Sequence, residues 1–275
     1  MEILVIGNPV AGRANTSQRI ARLVRLLERR GHSVDIFFTA GPGDARDRAR
    51  SVGPNVERLV VAGGDGTINE VLNGVDDPLR VPIVHLPTGT ANMLHRDLGL
   101  PASLSSLADV LESGTVRRVD MGLVGERRFL MLLTAGFDAA VTEQLRRRRP
   151  TRLGYTGYFM PIVRTLMVYR PIRLRVTVDE GATVTGYLAM ILNVRHYGGY
   201  FVFSDRARLD SGCFEVVVMP DGNVPELFRY AVRAFLRNMR RCRDVVCLSG
   251  RRVRIESDEP VSVQVDGDYF GTTPV

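Results

Sequence analysis

Over residues 1–115 short β-branched runs alternate with segments of helical period, and three of these runs end in a glycine-bearing turn. Strands that alternate with helices in this way bury themselves as a parallel sheet covered by helices. Ile3 to Gly7 reads as the first strand. From Ser17 to Arg30, the residues Ile20, Leu23, Val24 and Leu27 fall on one helical face, with Gly31 as the stop. Ser33 to Phe38 is the second strand, Asp44 to Ser51 a short helix, and Arg58 to Ala62 the third strand. A glycine turn then opens a helix reaching Leu72. Pro82 to Leu86 is the fourth strand, followed by helices near Asn92 to Leu98 and Leu104 to Glu112.

Residues 116–275 carry a different pattern. Ile172, Leu174, Val176 and Val178 alternate with Arg173, Arg175 and Thr177, as in a strand with one wet face. Tyr187 to Val194, Phe214 to Met219, Val253 to Ile255 and Val261 to Val265 add further strands, the last two joined through Ser257 to Pro260. Helices are expected at Thr156 to Tyr169 and Pro225 to Arg241. The fold class expected is therefore an α/β domain at residues 1–115 and a β-rich, mostly antiparallel domain at residues 116–275.

The 37 basic residues are all arginine and outnumber the 30 acidic ones, for a net charge of +7. Without lysine the chain cannot use a Walker lysine, the strand lysine of protein kinases or a pyridoxal Schiff base. The excess positive charge favours an anionic partner. Cys213, Cys242 and Cys247 form no CxxC pair, which fits a reducing cytoplasm and neither a disulfide framework nor a zinc knuckle. The short apolar run from Ile3 to Ile6 is not a signal peptide, and no apolar stretch reaches the ~18 residues of a membrane span, so membrane contact is expected to be peripheral. His32, His85, His95 and His196 lack metal-ligand spacing.

The strongest local signal is Gly63-Gly64-Asp65-Gly66-Thr67, directly after an apolar strand and before a helix. Glycines there turn backbone N–H groups toward a phosphate, and the helix N-terminus adds its positive dipole end. A carboxylate beside such a cradle repels phosphate unless a divalent cation or a substrate hydroxyl intervenes, so Asp65 points to phosphoryl transfer with Mg²⁺. Asn8-Pro9-Val10-Ala11-Gly12 forms a second turn and Pro87 to Asn92 a third, all at carboxyl ends of strands, where open α/β sheets bind ligands. The first turn is not GxGxxG and the second strand ends in Phe38-Thr39 rather than an acid, against a dinucleotide-binding Rossmann domain.

Taken together, Asn8 to Gly12, GGDGTINE at Gly63 to Glu70 with Asn73 and Gly74, LPTGTAN at Leu86 to Asn92, LGLP at Leu98 to Pro101 and Asp266-Gly267 resemble the diacylglycerol kinase catalytic-domain family of soluble lipid kinases. The resemblance implies an NAD kinase-like nucleotide domain, a β-rich second domain, and ATP-dependent phosphorylation of a lipid hydroxyl in the cleft between them. Diacylglycerol, giving phosphatidic acid, is the leading substrate and a sphingoid base the next. By position, ATP contacts fall on Asn8, Pro9, Val10, Ala11, Gly12, Thr39, Gly63, Gly64, Asp65, Gly66, Thr67, Ile68, Asn69, Glu70, Thr90 and Asn92. The resemblance also makes Asp268 the proton acceptor in place of a family Glu, with Asp266 in support. Val261, Val263 and Val265 lead into these acids, and an extended segment would put both on one side of the hairpin.

Three departures stand out. Met93 replaces an Asp common in bacterial members. The second-domain metal loop reads Leu209-Asp210-Ser211-Gly212-Cys213, with Ser211 in the acidic position, so that Asp210, Ser211 and Cys213 are a weakened metal site. The sequence also stops at Val275, where relatives continue into a further strand. NAD kinase is the nearest enzyme alternative, opposed by Asn8 to Gly12 and LPTGTAN. A non-catalytic nucleotide- or lipid-binding protein is the alternative that Met93 and Ser211 favour. Expected partners are a membrane lipid substrate, the anionic inner face of the membrane and a second copy in a homodimer, with no nucleic acid. Arg146 to Arg149 with Arg152, and the Arg229, Arg233, Arg237 row, read either as contacts to anionic lipid or as solvated faces. Gly198 and Gly199 between Tyr197 and Tyr200 read as a lipid entrance or as an edge-strand turn.

Overall fold

The computed structural model describes residues 1–12, 16–148, 155–181 and 183–275; Arg149 and Arg152 of the basic run lie outside the described residues. The chain divides into two compact units, Met1–Arg118 and Val119–Val275.

In the first unit the elements are β1 (Glu2–Gly7), α1 (Thr16–Arg29), β2 (Ser33–Phe38), α2 (Asp44–Arg50), β3 (Arg58–Gly63), α3 (Asp65–Gly74), β4 (Ile83–Pro87), α4 (Met93–Asp97) and α5 (Leu104–Ser113). The strands form a parallel sheet in the order β2-β1-β3-β4. The helical face expected from sequence is buried: Ile20, Leu23, Val24 and Leu27 of α1 pack with Leu107, Ala108 and Leu111 of α5 onto Ile3, Val5, Val60, Ala62, Val84 and Leu86. Helices α2 and α3 pack on one another and reach β1 and β3 respectively. Residues 3–7 of β1 are accordingly all buried, as strands covered on both faces should be.

The second unit runs β5 (Gly122–Val124), β6 (Arg127–Phe129), β7 (Leu132–Ala135), α6 (Phe137–Arg148), α7 (Tyr155–Val168), β8 (Leu174–Val178), β9 (Thr183–Gly186), β10 (Leu188–Leu192), β11 (His196–Tyr197), β12 (Phe201–Val202), β13 (Phe214–Met219), α8 (Val224–Phe235), β14 (Val246–Gly250), β15 (Val253–Ser257), β16 (Ser262–Val265) and β17 (Asp268–Thr272). An antiparallel sheet β14-β13-β10-β7-β16-β17 faces a smaller one, β15-β8-β9. Leu174, Val176 and Val178 on the dry face of β8 meet Ala189, Ile191, Val216, Val218, Val263 and Val265 in one core. The link from Ser257 to Pro260 carries the chain from the small sheet to the large one, so β15 and β16 are not partners.

The helix expected at Pro225 to Arg241 is shorter. Its start is well defined, with Asn223 Oδ1 accepting from Glu226 N at 3.1 Å. It ends at Phe235 because Arg237 turns left-handed at φ 54°. Asn238 N then donates to Arg233 O at 2.8 Å and Arg237 N to Ala234 O at 3.1 Å, the paired bonds of a Schellman stop. The row Arg229, Arg233, Arg237 therefore does not share one helix. Gly198 and Gly199, both at positive φ, make the turn between β11 and β12.

Candidate active site

Three turns of the first unit meet at the carboxyl ends of adjacent strands. Asn8 N donates to Ala62 O at 2.8 Å and Thr88 N to Gly63 O at 2.9 Å, so each turn leaves the sheet hydrogen-bonded to its neighbour. The turn after β1 reaches past β3 to the one after β4. A Cβ at Gly12, whose φ is +66°, would stand 1.8 Å from Thr88 O, and a Cβ at Gly89 would stand 2.4 Å from Gly64 Cα. Only glycine allows such an approach. Gly66 differs, for a Cβ there meets nothing within 4 Å. Asn8 Nδ2 donates to Thr67 Oγ1 at 3.4 Å, and Asn92 holds the third turn through bonds to Gly89 N at 3.0 Å and Gly89 O at 2.8 Å.

Asp65, half-buried, is the first residue of α3, and Leu94 N donates to its Oδ1 at 3.4 Å. Thr39 closes β2, its N–H donating to Gly7 O at 2.9 Å. Pro9, Ala11 and Glu70 are half-buried, whereas Val10, Gly66 and Thr90 are exposed. Thr67, Ile68 and Asn69 are buried, so the side chains of Ile68 and Asn69 belong to the packing beneath the turn. Met93, in the position of the family acid, is buried and brings no oxygen.

Two residues outside the expected ATP contacts support this cluster. His85 lies on β4, 1% exposed, and its Nε2–H donates to Gly63 O at 3.0 Å. Burial lowers its pKa to about 4, so the ring is neutral at physiological pH and props the carbonyl that Thr88 N also reaches. Thr88 has a buried Oγ1 with no hydrogen-bond partner among the described residues. Nothing in the spacing of His85 marked it, since its partner lies on the neighbouring strand.

In the second unit the acids expected side by side part company. Val265 pairs with Asp268 across a two-residue turn, with Asp266 at φ 50° and Gly267 at φ 91°. Positive φ at both turn residues is the tight hairpin favoured by Asp-Gly, and it breaks the extended run that would have put the two acids on one side. Asp266 is buried and accepts from Leu130 N, Met131 N and Leu132 N, each at 2.9 Å. Asp268 opens β17 with its side chain 67% exposed, its Oδ2 accepting from Arg127 Nη2 at 2.8 Å. A polar network missed from sequence lies behind the turn. Gly267 N donates to Gln264 Oε1 at 2.7 Å, Gln264 Nε2 to Asp138 Oδ2 at 3.0 Å, Thr134 Oγ1 to Asp138 Oδ2 at 2.6 Å, and the Tyr197 hydroxyl to Asp138 Oδ1.

The loop expected to bind metal has a poor donor set for it. Asp210 is paired with Arg208 at 3.2 Å, and Ser211 Oγ donates to Arg208 O at 3.1 Å and Cys213 O at 2.7 Å. A hard cation such as Mg²⁺ wants several oxygens and no thiol. Asp210, Ser211 and Cys213 therefore do not fit Mg²⁺. Among the described residues no cluster of three or more His, Cys, Asp and Glu could hold a metal ion. Of the basic rows, Arg229 is neutralised by Glu226 and Asp244, and Arg146 lies over the Tyr269 ring at 5.2 Å. Among the described residues no helix is long and apolar enough to cross a membrane.

Residues 2–124 match the diacylglycerol kinase catalytic domain, and residues 132–275 match the YegS C-terminal NAD kinase beta sandwich-like domain. A diacylglycerol kinase of Bacillus subtilis (strain 168) is 27% identical over 276 residues, covering 98% of this chain and 90% of the relative. One of Staphylococcus carnosus (strain TM300) is 28% identical over 273 residues, covering 98% and 89%. Among solved structures, a diacylglycerol kinase from Bacillus anthracis str. Sterne superposes with a TM-score of 0.79 at 25% identity, covering 99% of this chain and 92% of that one. An NAD kinase from Archaeoglobus fulgidus in complex with ATP shares the fold at a TM-score of 0.51 and 16% identity, covering 99% and 88%.

Proposed function

Because the chain belongs to the diacylglycerol kinase family, we propose that it transfers the γ-phosphate of ATP to the free hydroxyl of diacylglycerol, giving phosphatidic acid and ADP. The observation that carries the reading is the convergence of three glycine turns around Gly12, Gly64 and Gly89, with Asp65 at the N-terminus of α3. Backbone N–H groups at the head of α3 bind the phosphates, helped by the positive end of the helix dipole. The open space over Gly66 admits them, and Thr88 Oγ1, without a partner among the described residues, offers a further bond. ATP fits these residues.

A Mg²⁺ that arrives with ATP keeps much of its water and needs only one or two protein carboxylates. Asp65 is the residue that would hold it. When bound, the ion neutralises charge on the transferring phosphoryl group. Asp268 takes the proton from the attacking hydroxyl, since its carboxylate is exposed and, among the described residues, engaged through Arg127. Asp266, with its oxygens committed to Leu130, Met131 and Leu132, is a positioning residue. The protein works in the cytoplasm, peripheral to the inner membrane face.

The test is transfer of γ-labelled phosphate to extracted lipids and, separately, to NAD, for the wild type and Asp65→Asn. Diacylglycerol should be labelled, and the substitution should cost about 10³-fold in turnover with an unchanged melting temperature. Label on NAD alone, ATP binding without transfer, or wild-type turnover in folded Asp65→Asn would overturn the reading.

A further inference from the structure

Beyond the end of α8 lies a cavity of about 400 Å³ whose lining includes Val202, Phe203, Arg206, Arg237, Arg240 and Arg243. Among the described residues Asp205 is the one carboxylate in its wall, and it is paired with Arg240 at 2.5 Å. Arg206, Arg237 and Arg243 make no side-chain ion pair or hydrogen bond among the described residues. Arg206, Arg237, Arg240 and Arg243 are all exposed, and the positive field they share favours an anion. Cys242, the buried thiol in the wall, is held neutral by its burial and offsets none of that charge. Arg237 occupies the left-handed position of the Schellman stop, at φ 54°, where glycine is the low-energy residue. A guanidinium is thus kept at the cavity at some cost to the backbone.

The approach to this cavity is apolar. Helix α8 buries Leu227, Tyr230 and Ala234 on its inner face. Its outer face shows Val224, Phe228, Val232, Phe235 and the following Leu236, which are 48%, 71%, 39%, 59% and 61% exposed. These recur at helical spacing, and a solvated face would be polar there. Phe235 meets the ring of Phe201 at 6.1 Å, and Phe201 precedes Val202 and Phe203 in the cavity wall.

From the cavity and the helix together, we propose that this cavity seats the phosphate-bearing headgroup of an anionic phospholipid while the outer face of α8 lies on the acyl layer. An apolar stripe ending in unpaired arginines matches a negatively charged leaflet, headgroup over tails, in charge and in polarity. The site rests on the lipid-kinase reading only in that such an enzyme must meet a bilayer. It consists of residues that reading does not use.

The decisive variant is Arg237→Gly, which removes a guanidinium and relaxes the backbone, so a loss of binding cannot be blamed on misfolding. The full chain, without ATP, is sedimented with vesicles of equimolar phosphatidylcholine and phosphatidylglycerol, with vesicles of phosphatidylcholine alone, and titrated with inorganic phosphate. The wild type should bind the anionic vesicles only. Arg237→Gly should weaken that binding about fivefold with no fall in melting temperature, and Arg240→Ala with Arg243→Ala by about the square of that factor. Phe228→Ser with Phe235→Ser should weaken it as well. Vesicle binding indifferent to all these changes overturns the site. So does inorganic phosphate raising the melting temperature through Arg237 while vesicles do not bind. Transfer of phosphate to diacylglycerol dispersed in detergent, measured on the wild type, separates this failure from failure of the kinase reading.

Discussion

Asp266 and Asp268 stand two residues apart and meet opposite surroundings. Three backbone donors at 2.9 Å fill the Asp266 carboxylate, so Asp266→Asn turns an amide N–H toward N–H groups and should cost about 3 kcal/mol of stability. Activity would then fall with the folded fraction. Asp268 makes a surface pair with Arg127, a contact of this kind contributing at most about 1 kcal/mol, so Asp268→Asn should stay folded and lose most of its turnover. Asp268→Glu should keep turnover, because β17 begins in the open and can accommodate the longer acid. Denaturant melts beside lipid phosphorylation rates check all three. An Asp268→Asn enzyme of normal activity would remove it as the proton acceptor.

The glycine turns can be divided, as elements, into those that close the structure and those proposed to receive the nucleotide. Gly89→Ala drives a methyl to 2.4 Å from Gly64 Cα and should cost about 2 kcal/mol as well as ATP affinity. Gly66→Ala has open space and sits in the first turn of α3, so stability should hold or rise by about 0.5 kcal/mol. Its KM for ATP should nonetheless rise about tenfold if phosphate approaches the backbone there. Equal KM values for Gly66→Ala and wild type would move the phosphates elsewhere. Helix α8 teaches a related lesson about element ends. Hydrophobic and arginine spacing ran on past Phe235, and what stopped the helix was a left-handed arginine that no propensity favours.

At the scale of the whole molecule, His85 ties the geometry of the glycine turns to global stability. Its pKa is lowered by burial from 6.5 to about 4, and that of His95 is lowered in the same direction. A lowered histidine pKa means the unfolded chain binds a proton that the folded one refuses. Stability is therefore complete above pH 6.5 and is lost as pH falls toward about 4, by about 3 kcal/mol for His85. His85→Gln keeps an N–H for Gly63 O and should flatten that slope in denaturant titrations across this range; an unaltered slope would assign the pH dependence to other groups. The sequence by itself determined the order of strands and helices in the first unit, the three turns and the β-rich second unit, because period and glycine placement are local and repeat along the chain. It also carried the motifs by which the family was legible. Tertiary structure alone decided that Gly12 lies against Thr88, that His85 supports Gly63, and that Asp138 joins Tyr197 to Gln264. It likewise decided that Asp266 is held by three backbone donors while Asp268 lies exposed beside Arg127. Each of these is a contact between chain segments far apart in sequence, or a single positive φ that ends a period, and neither leaves a local pattern to read.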